Sequence, residues 1–289
     1  MEEIQYLNLI QKILDNGDLI DSRNGTTLSL FGESMEYSLR DGKLPLLTSK
    51  KVAWKTCFRE LMWFLSGSTS NTVLQNKKVK IWNDNASRDF LDSRGLYHLK
   101  ENDLGPVYGH QWRYFNAPYT NCDDDYTGKG IDQIAKLIKA LKDPEQHSSR
   151  RLIVSAWNPC QLDEMALPPC HMVAQFSVRN HKYLSCILYQ RSGDVGLGVP
   201  FNIASYSFLT HILATHCDLE ADRFIHFLGD AHIYESHIEP LKRQIKQGLY
   251  NFPRILINKH ENIEDYTEHD IQWITPYEHN LEVKMEMVA

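Results

Sequence analysis

YLSCILYQRSGDVGLGVPFNIASYSFLTHILAT, residues 183–215, decides the fold. Its opening, Tyr183 to Arg191, is rich in aliphatic and aromatic residues and predicts a strand. A turn carrying Gly193, Gly196 and Gly198 follows. Pro200 then begins an apolar run from Phe201 to Thr215, too long for a strand and therefore read as a buried helix. Proline is favoured at a helix start because its missing N–H is not needed there. The glycines loosely match a phosphate-binding loop, but no βαβ unit surrounds them.

Outward from this stretch, RLIVSAW (151–157), MVAQFSV (172–178) and FIHFLGDAHIY (224–234) read as further strands, with RILIN (254–258) and DIQWIT (270–275) as late ones. HIEPLKRQIKQ (237–247) reads as a helix. Near the N-terminus, Ile4, Leu7, Ile10, Ile13 and Leu14 lie on one helical face that Asn16-Gly17 ends. Residues 26–39, TTLSLFGESMEYSL, predict a strand, a turn around Gly32-Glu33-Ser34, and a second strand. Trp54 to Leu65 is an apolar helix stopped at Ser66-Gly67. Ile131, Ile134, Leu137, Ile138 and Leu141 mark another, closed by Asp143-Pro144. Between them, residues 83–130 are loop-rich without a domain boundary. No repeats or low-complexity tracts interrupt the chain. The expected class is α+β: one domain over residues 1–289, with a mixed, mostly antiparallel sheet packed by helices on one face.

Composition narrows the function. A net charge of −6 over 289 residues gives no basic surface for coating DNA, so any anionic ligand needs a local arginine cluster. The six cysteines, Cys57, Cys122, Cys160, Cys170, Cys186 and Cys217, include no CxxC pair, which argues against a zinc site or a disulfide framework. The segment MEEIQYLNLIQKIL has no basic region followed by an apolar one, so no signal peptide is expected, and no run is long enough to span a bilayer. A reducing, cytosolic setting is the expectation.

Several residues could carry chemistry. In ALPPCHMVAQF, two prolines fix the approach to Cys170 just before a strand, a rigid position for a nucleophile once its pKa is lowered; a buried inert cysteine fits the same pattern. Arg150 and Arg151 precede one strand, while Gln190, Arg191 and Ser192 end another, and Arg23 lies in a turn. Guanidinium forks and a hydroxyl match a phosphate dianion, although such arginines are also common as solvated strand ends. Asn202, in the first turn of the apolar helix, offers a donor and an acceptor on one edge, as an imide such as uracil requires; a helix cap would serve equally. His232 and Tyr234, two apart on a strand, share a face and could bind a sugar hydroxyl. His232 and His237 lack the HExxH spacing of a zinc site. Glu60, inside the apolar RELMWFL, is either at the helix edge or buried with a raised pKa. Trp82 is either core or the wall of a site for a flat heterocycle.

In order along the chain, RELMWFLSGST, KIW, DLGPVYGHQWR, SRRLIVSAWNP, LPPCH, LYQRSGDVGLGVPFNIASY and GDAHIYESHIEPLK closely resemble the thymidylate synthase family, and NASRDFLD resembles its eukaryotic and viral branch. The resemblance spans nearly the whole chain. It implies the family's α+β fold and a homodimer joined sheet to sheet. It implies Cys170 as nucleophile, with Glu60, Tyr108, His171 and Asn202 around the base. Arg23, Gln190, Arg191, Ser192, His232 and Tyr234 would bind dUMP, with Arg150 and Arg151 reaching across from a second subunit. Ile81, Trp82, Asp194, Phe201 and the terminal Ala289 would meet the folate, 5,10-methylenetetrahydrofolate, and no metal is implied.

By the same resemblance, the Cys170 thiolate adds to carbon 6 of the pyrimidine, carbon 5 attacks the folate's one-carbon unit, and hydride return gives dTMP and dihydrofolate. The arginines would favour the thiolate. Related dCMP hydroxymethylases carry aspartate where this chain has Asn202, so the amide points to dUMP; a hydroxymethylase or a non-catalytic RNA-binding member are the alternatives. Three local features differ from the family pattern: RNGTT after Arg23, YEHN near the end, and the final Val288-Ala289.

Overall fold

The computed structural model describes residues 2–22 and 25–288. Helix α1 (Ile4–Asn16) leads into strands β1 (Asp18–Ser22) and β2 (Gly25–Ser38). Helices α2 (Trp54–Leu65), α3 (Asn71–Asn76), α4 (Arg88–Ser93), α5 (Tyr108–Tyr114) and α6 (Gln133–Leu141) follow. Then come β3 (Ile153–Ser155), β4 (His171–Arg179), β5 (Tyr183–Asp194), α7 (Gly198–His216), β6 (Glu220–Tyr234), α8 (Ile238–Gln244), β7 (Arg254–Ile257) and β8 (Ile271–Thr275).

Six strands form one sheet in the order β1-β2-β6-β5-β4-β3, and β7 pairs with β8 alone. Within the large sheet only β5 and β6 run parallel. The α+β class and the mixed, mostly antiparallel sheet are therefore observed. A parallel pair needs a crossover, and the apolar run after Pro200 supplies it: α7 links β5 to β6, so Gly193, Gly196 and Gly198 do lie in a βαβ unit, contrary to the expectation from sequence. Almost every residue of α7 is buried, because the helix packs on β5 and β6 on one side and on α2 on the other. A helix apolar on all sides is stable only in such a sandwich. No helix among the described residues is long and apolar enough to cross a membrane.

Two further local expectations need correction. Residues 26–39 form one continuous strand, not a hairpin, because β2 stays in register with β6 from Thr27–Tyr234 to Ser38–Arg223. Gly32, at φ +88°, is a kink within the strand. The second is the span 83–130, which is less irregular than its composition suggests, since α4 and α5 lie within it. Gly32 also marks where side chains change face. On β6, Leu228 and Ala231 are both buried although three residues apart, so strict alternation slips at Gly229. A side chain at Gly229 would stand 2.8 Å from the Arg191 carbonyl, so the close approach of β5 requires glycine there. Beyond the slip, Asp230, His232 and Tyr234 project away from the core.

The sheet face away from α7 carries exposed Ile153, Ile187, Tyr189 and Phe227. Their register makes them neighbours: Ile187 is beside Ile225, and Tyr189 is beside Phe227.

Candidate active site

The site begins with Cys170, at the entry to β4. Its N–H donates to the Tyr108 hydroxyl at 2.8 Å, and its carbonyl accepts from the Arg191 N–H at 2.8 Å. Pro168 and Pro169 have a further use: their carbonyls accept from Arg191 Nη2 and Nε, each at 2.9 Å. Arg191 Nη2 also lies 3.8 Å from Cys170 Sγ, and the guanidinium carbon is 5.7 Å from the centre of the Trp157 ring. The proline loop thus fixes one guanidinium beside the sulfur. Burial pushes the Cys170 thiol above its ordinary value, while Arg191 pulls it down. The thiolate-favouring effect expected of the arginines is present at Arg191 in sign, but burial outweighs it in this form of the protein.

Around the sulfur is a layer of aromatic and polar groups. Tyr108 stacks on His171 with ring centres 3.9 Å apart, and His171 Nδ1 shares a 2.8 Å hydrogen bond with the Tyr206 hydroxyl. Burial, with His226 nearby, lowers the His171 pKa to about 3, so the ring is neutral at ordinary pH. Trp82 Nε1 donates to Glu60 at 2.7 Å, and the Trp82 ring lies 6.0 Å from Tyr108. Asn202, partly exposed in the first turns of α7, makes no hydrogen bond to a described residue.

Burial raises the Glu60 carboxyl to about 7, with the Trp82 N–H opposing the rise. Between its ordinary 4.5 and about 7, folded Glu60 holds a proton that the unfolded chain releases. Its contribution to stability is complete below 4.5 and is lost as pH rises through about 7. The change is at most about 3 kcal/mol, less because the side chain keeps some solvent exposure. Glu60→Gln should remove this slope. Urea unfolding at about pH 5 and about pH 8 measures it; an unchanged slope in the variant would place the titration elsewhere.

Beside Cys170 the outer face of the sheet opens as a groove of about 390 Å³ lined by Arg191, Ser192, Asp230, His232, Tyr234 and Thr27, among others. His232 Nδ1 is 2.7 Å from Asp230 Oδ1, and the His232 and Tyr234 rings meet edge to face at 5.2 Å. Gln190 lies beneath, donating to the Ser192 carbonyl at 2.9 Å while its Oε1 is 2.8 Å from His226 Nε2. Arg191 Nη1 makes no hydrogen bond to a described residue. Such a groove suits a sugar phosphate.

Asp194 closes β5 and accepts from the Gly196 and Leu197 N–H groups at 2.8 and 3.3 Å. A Cβ at Gly198 would stand 3.8 Å from Asp194 Cβ and 3.9 Å from Asn202 Oδ1, so Gly198 sits between these two side chains. Ile81 and Phe201 are partly buried against the core. Arg150 and Arg151 are exposed before β3 and do not line this groove among the described residues. Arg23 and Ala289 lie outside the described residues. No group of three or more potential metal ligands is found among the described residues.

Sequence reasoning assigned no role to Tyr206, His226 or Asp230. Tyr206 could have been found, because it lies four residues after Asn202 on the same helix. Asp230 could have been found too, since it lies two residues before His232 on the same strand, whereas His226 could not, because its partner Gln190 comes from another strand.

Comparison with known proteins agrees with this geometry. The family model described as thymidylate synthase matches residues 4–289. The human protein named thymidylate synthase is 52% identical over 289 residues, covering 99% of this chain and 91% of its own length. A thymidylate synthase of human herpesvirus 8 is 50% identical, covering all of this chain and 85% of its own. A bifunctional dihydrofolate reductase-thymidylate synthase of Paramecium tetraurelia is 49% identical over 98% of this chain but 61% of its own length. The chain spans about half the length of several such bifunctional relatives, 50% in one from Arabidopsis thaliana.

Proposed function

The chain belongs to the thymidylate synthase family, and from that premise we propose that it converts dUMP to dTMP, with 5,10-methylenetetrahydrofolate as co-substrate and dihydrofolate as the second product. The observation that carries the reading is the junction of Cys170 with Arg191: a sulfur 3.8 Å from a guanidinium that lines a phosphate-sized groove. The folate supplies the carbon unit and the hydride when bound. Everything else is work for the chain.

Arg191, Ser192, His232 and Tyr234 hold the nucleotide's phosphate and sugar, with Arg23 joining them. Phosphate in the groove fixes carbon 6 of the pyrimidine over Cys170. The sulfur gives its proton to solvent or a neighbouring group and adds to carbon 6, which moves the ring electrons onto carbon 5 and oxygen 4. Asn202 reads the edge formed by N3–H and oxygen 4. Glu60, near-neutral in its titration, and neutral His171 hold water at the base and manage the carbon 5 proton together with Tyr108. Asp194, beside Gly198 and Asn202, binds the flat pterin next to the base, with Trp82, Ile81 and Phe201 as its apolar walls. Water exclusion there favours methylation over hydroxymethylation.

The working unit in this reading is a homodimer of single-domain chains joined through the exposed face bearing Ile187, Tyr189 and Phe227. Arg150 and Arg151, exposed and outside their own groove, then complete the partner's phosphate site. A cytosolic setting accords with six free thiols.

The test is a steady-state assay with dUMP and 5,10-methylenetetrahydrofolate. Dihydrofolate and dTMP should appear in equal amounts. A product heavier by a hydroxyl and no dihydrofolate, or no turnover at all, would overturn the reading.

A further inference from the structure

Within contact of the Asp194 turn is a polar junction that none of the preceding steps uses. His237, fully buried in the turn between β6 and α8, has two ring nitrogens aimed at different parts of the chain. Nε2 is 2.7 Å from the carbonyl of Glu286, in the C-terminal segment. Nδ1 stands 3.5 Å from Asp194 Oδ1 and makes no hydrogen bond. Lys50 Nζ donates to the Gly196 carbonyl from the opposite side. Gly196 is the hub: a Cβ there would meet His237 Nδ1 at 2.7 Å, Met285 Sδ at 3.1 Å and Asp194 Oδ1 at 3.2 Å. Only glycine lets the turn and the tail approach so closely.

Tyr277 and Asn280 tie the start of the tail to Leu47, Thr48, Val52 and Gly248, but beyond Asn280 little else holds it. Residues 276–288 form no helix or strand, and Leu281 is fully in solvent. Its last residues reach the body through Met285 against Gly196 and through the Glu286 carbonyl on His237.

We infer that His237 is a positioning residue: it ties the C-terminal segment to the Asp194 turn, so that the seat of the tail and the direction of the Asp194 carboxylate are set together. An Nε2–H that donates to Glu286 leaves Nδ1 to face the carboxylate. Burial opposes a charge on His237, but Asp194 and the Glu286 carbonyl outweigh it and hold its pKa above the ordinary value. With the ring protonated, both nitrogens bear a proton, and Nδ1 then faces Asp194 as a positive donor while Nε2 keeps Glu286. The role of Asp194 toward the folate rests on the proposed function; the tie between His237 and the tail does not.

The two ring nitrogens can be tested apart. Glutamine places an amide N–H near the position of Nε2, and asparagine near that of Nδ1. Amide hydrogen exchange over residues 282–288, measured on the ligand-free protein, reads the tail directly. His237→Asn and His237→Ala should speed exchange there by about tenfold, the effect of one buried hydrogen bond, while His237→Gln stays near wild type. In turnover, His237→Asn should raise KM for methylenetetrahydrofolate by about tenfold. Unchanged tail exchange in both His237→Asn and His237→Ala overturns the inference even in an active enzyme. Equal loosening in the glutamine variant overturns it as well, because the residue would then act by packing. Exchange as expected in a protein without dUMP turnover upholds the tie and sinks the proposed function alone. Should His237→Ala fail to fold, the asparagine and glutamine pair carries the same test.

Discussion

Cys170→Ser should lower kcat by about 10²-fold or more while the variant still binds dUMP. A serine hydroxyl in the same place is far harder to ionise than a thiol, and the site does little to help. Burial already pushes the Cys170 thiol up, and one guanidinium contact at 3.8 Å opposes it. That contact can favour a thiolate whose ordinary pKa is within reach of neutrality, but an alkoxide lies many units further away. Nucleotide binding should survive, because Arg191 is held by the Pro168 and Pro169 carbonyls rather than by the sulfur. The measurement is a pair: kcat by dihydrofolate formation, and dUMP affinity by calorimetry. Wild-type turnover in the serine variant would remove Cys170 from the nucleophile's role. Lost turnover together with lost dUMP affinity would mean that the substitution damaged the groove, and a covalent adduct sought by intact mass in the wild type would then decide.

What the sequence made legible was whatever a local pattern encodes. The strand from Tyr183 and the helix after Pro200 are long apolar runs, and the first supplies β5 while the second must be buried on all sides as α7. The parallel β5–β6 pair was not legible, because a helix between two strands leaves their relative direction open and no local pattern shows which strands are neighbours. Residues 26–39 misled because Gly32, Glu33 and Ser34 carry turn chemistry, yet pairing with fifteen-residue β6 holds them in one strand. Tertiary context overrode local preference there. The same limit governs the site. Cys170, Arg191 and Asn202 stand in conspicuous local settings. That the Pro168 and Pro169 carbonyls would grip Arg191, or that Gln190 would rest on His226, depends on which strands lie side by side. The seat of Glu286 on His237 spans 49 residues and has no local signature.

Asn202→Asp should move the substrate preference from dUMP toward dCMP, raising the ratio of their kcat/KM values by about 10²-fold. The amide has no hydrogen bond within the described chain, so its whole capacity is available to a base. Uracil shows a donor at N3 and an acceptor at oxygen 4, and the amide answers both. An aspartate carboxylate accepts from N3–H but turns a second lone pair toward oxygen 4, leaving two acceptors face to face in a partly desolvated site. Against cytosine the roles reverse: one oxygen accepts from the exocyclic amine, and the other must carry a proton to reach the N3 lone pair. The variant's dCMP turnover should therefore fall as pH rises and its carboxyl ionises. The first turns of α7 move that fall to lower pH, since the helix N-terminal end favours the anion. Amide flips also enter, because a freely turning Asn202 could answer cytosine as well as uracil. On the proposed reading, discrimination in the wild type then rests also on the neutral His171 and the Glu60–Trp82 pair, which would hold one orientation of the ring. Measuring kcat/KM for both nucleotides across the neutral pH range separates these contributions. A dCMP-to-dUMP ratio equal to that of wild type at every pH would show that Asn202 does not read the base, and the choice of pyrimidine would then fall to the His171 and Glu60 side of the site.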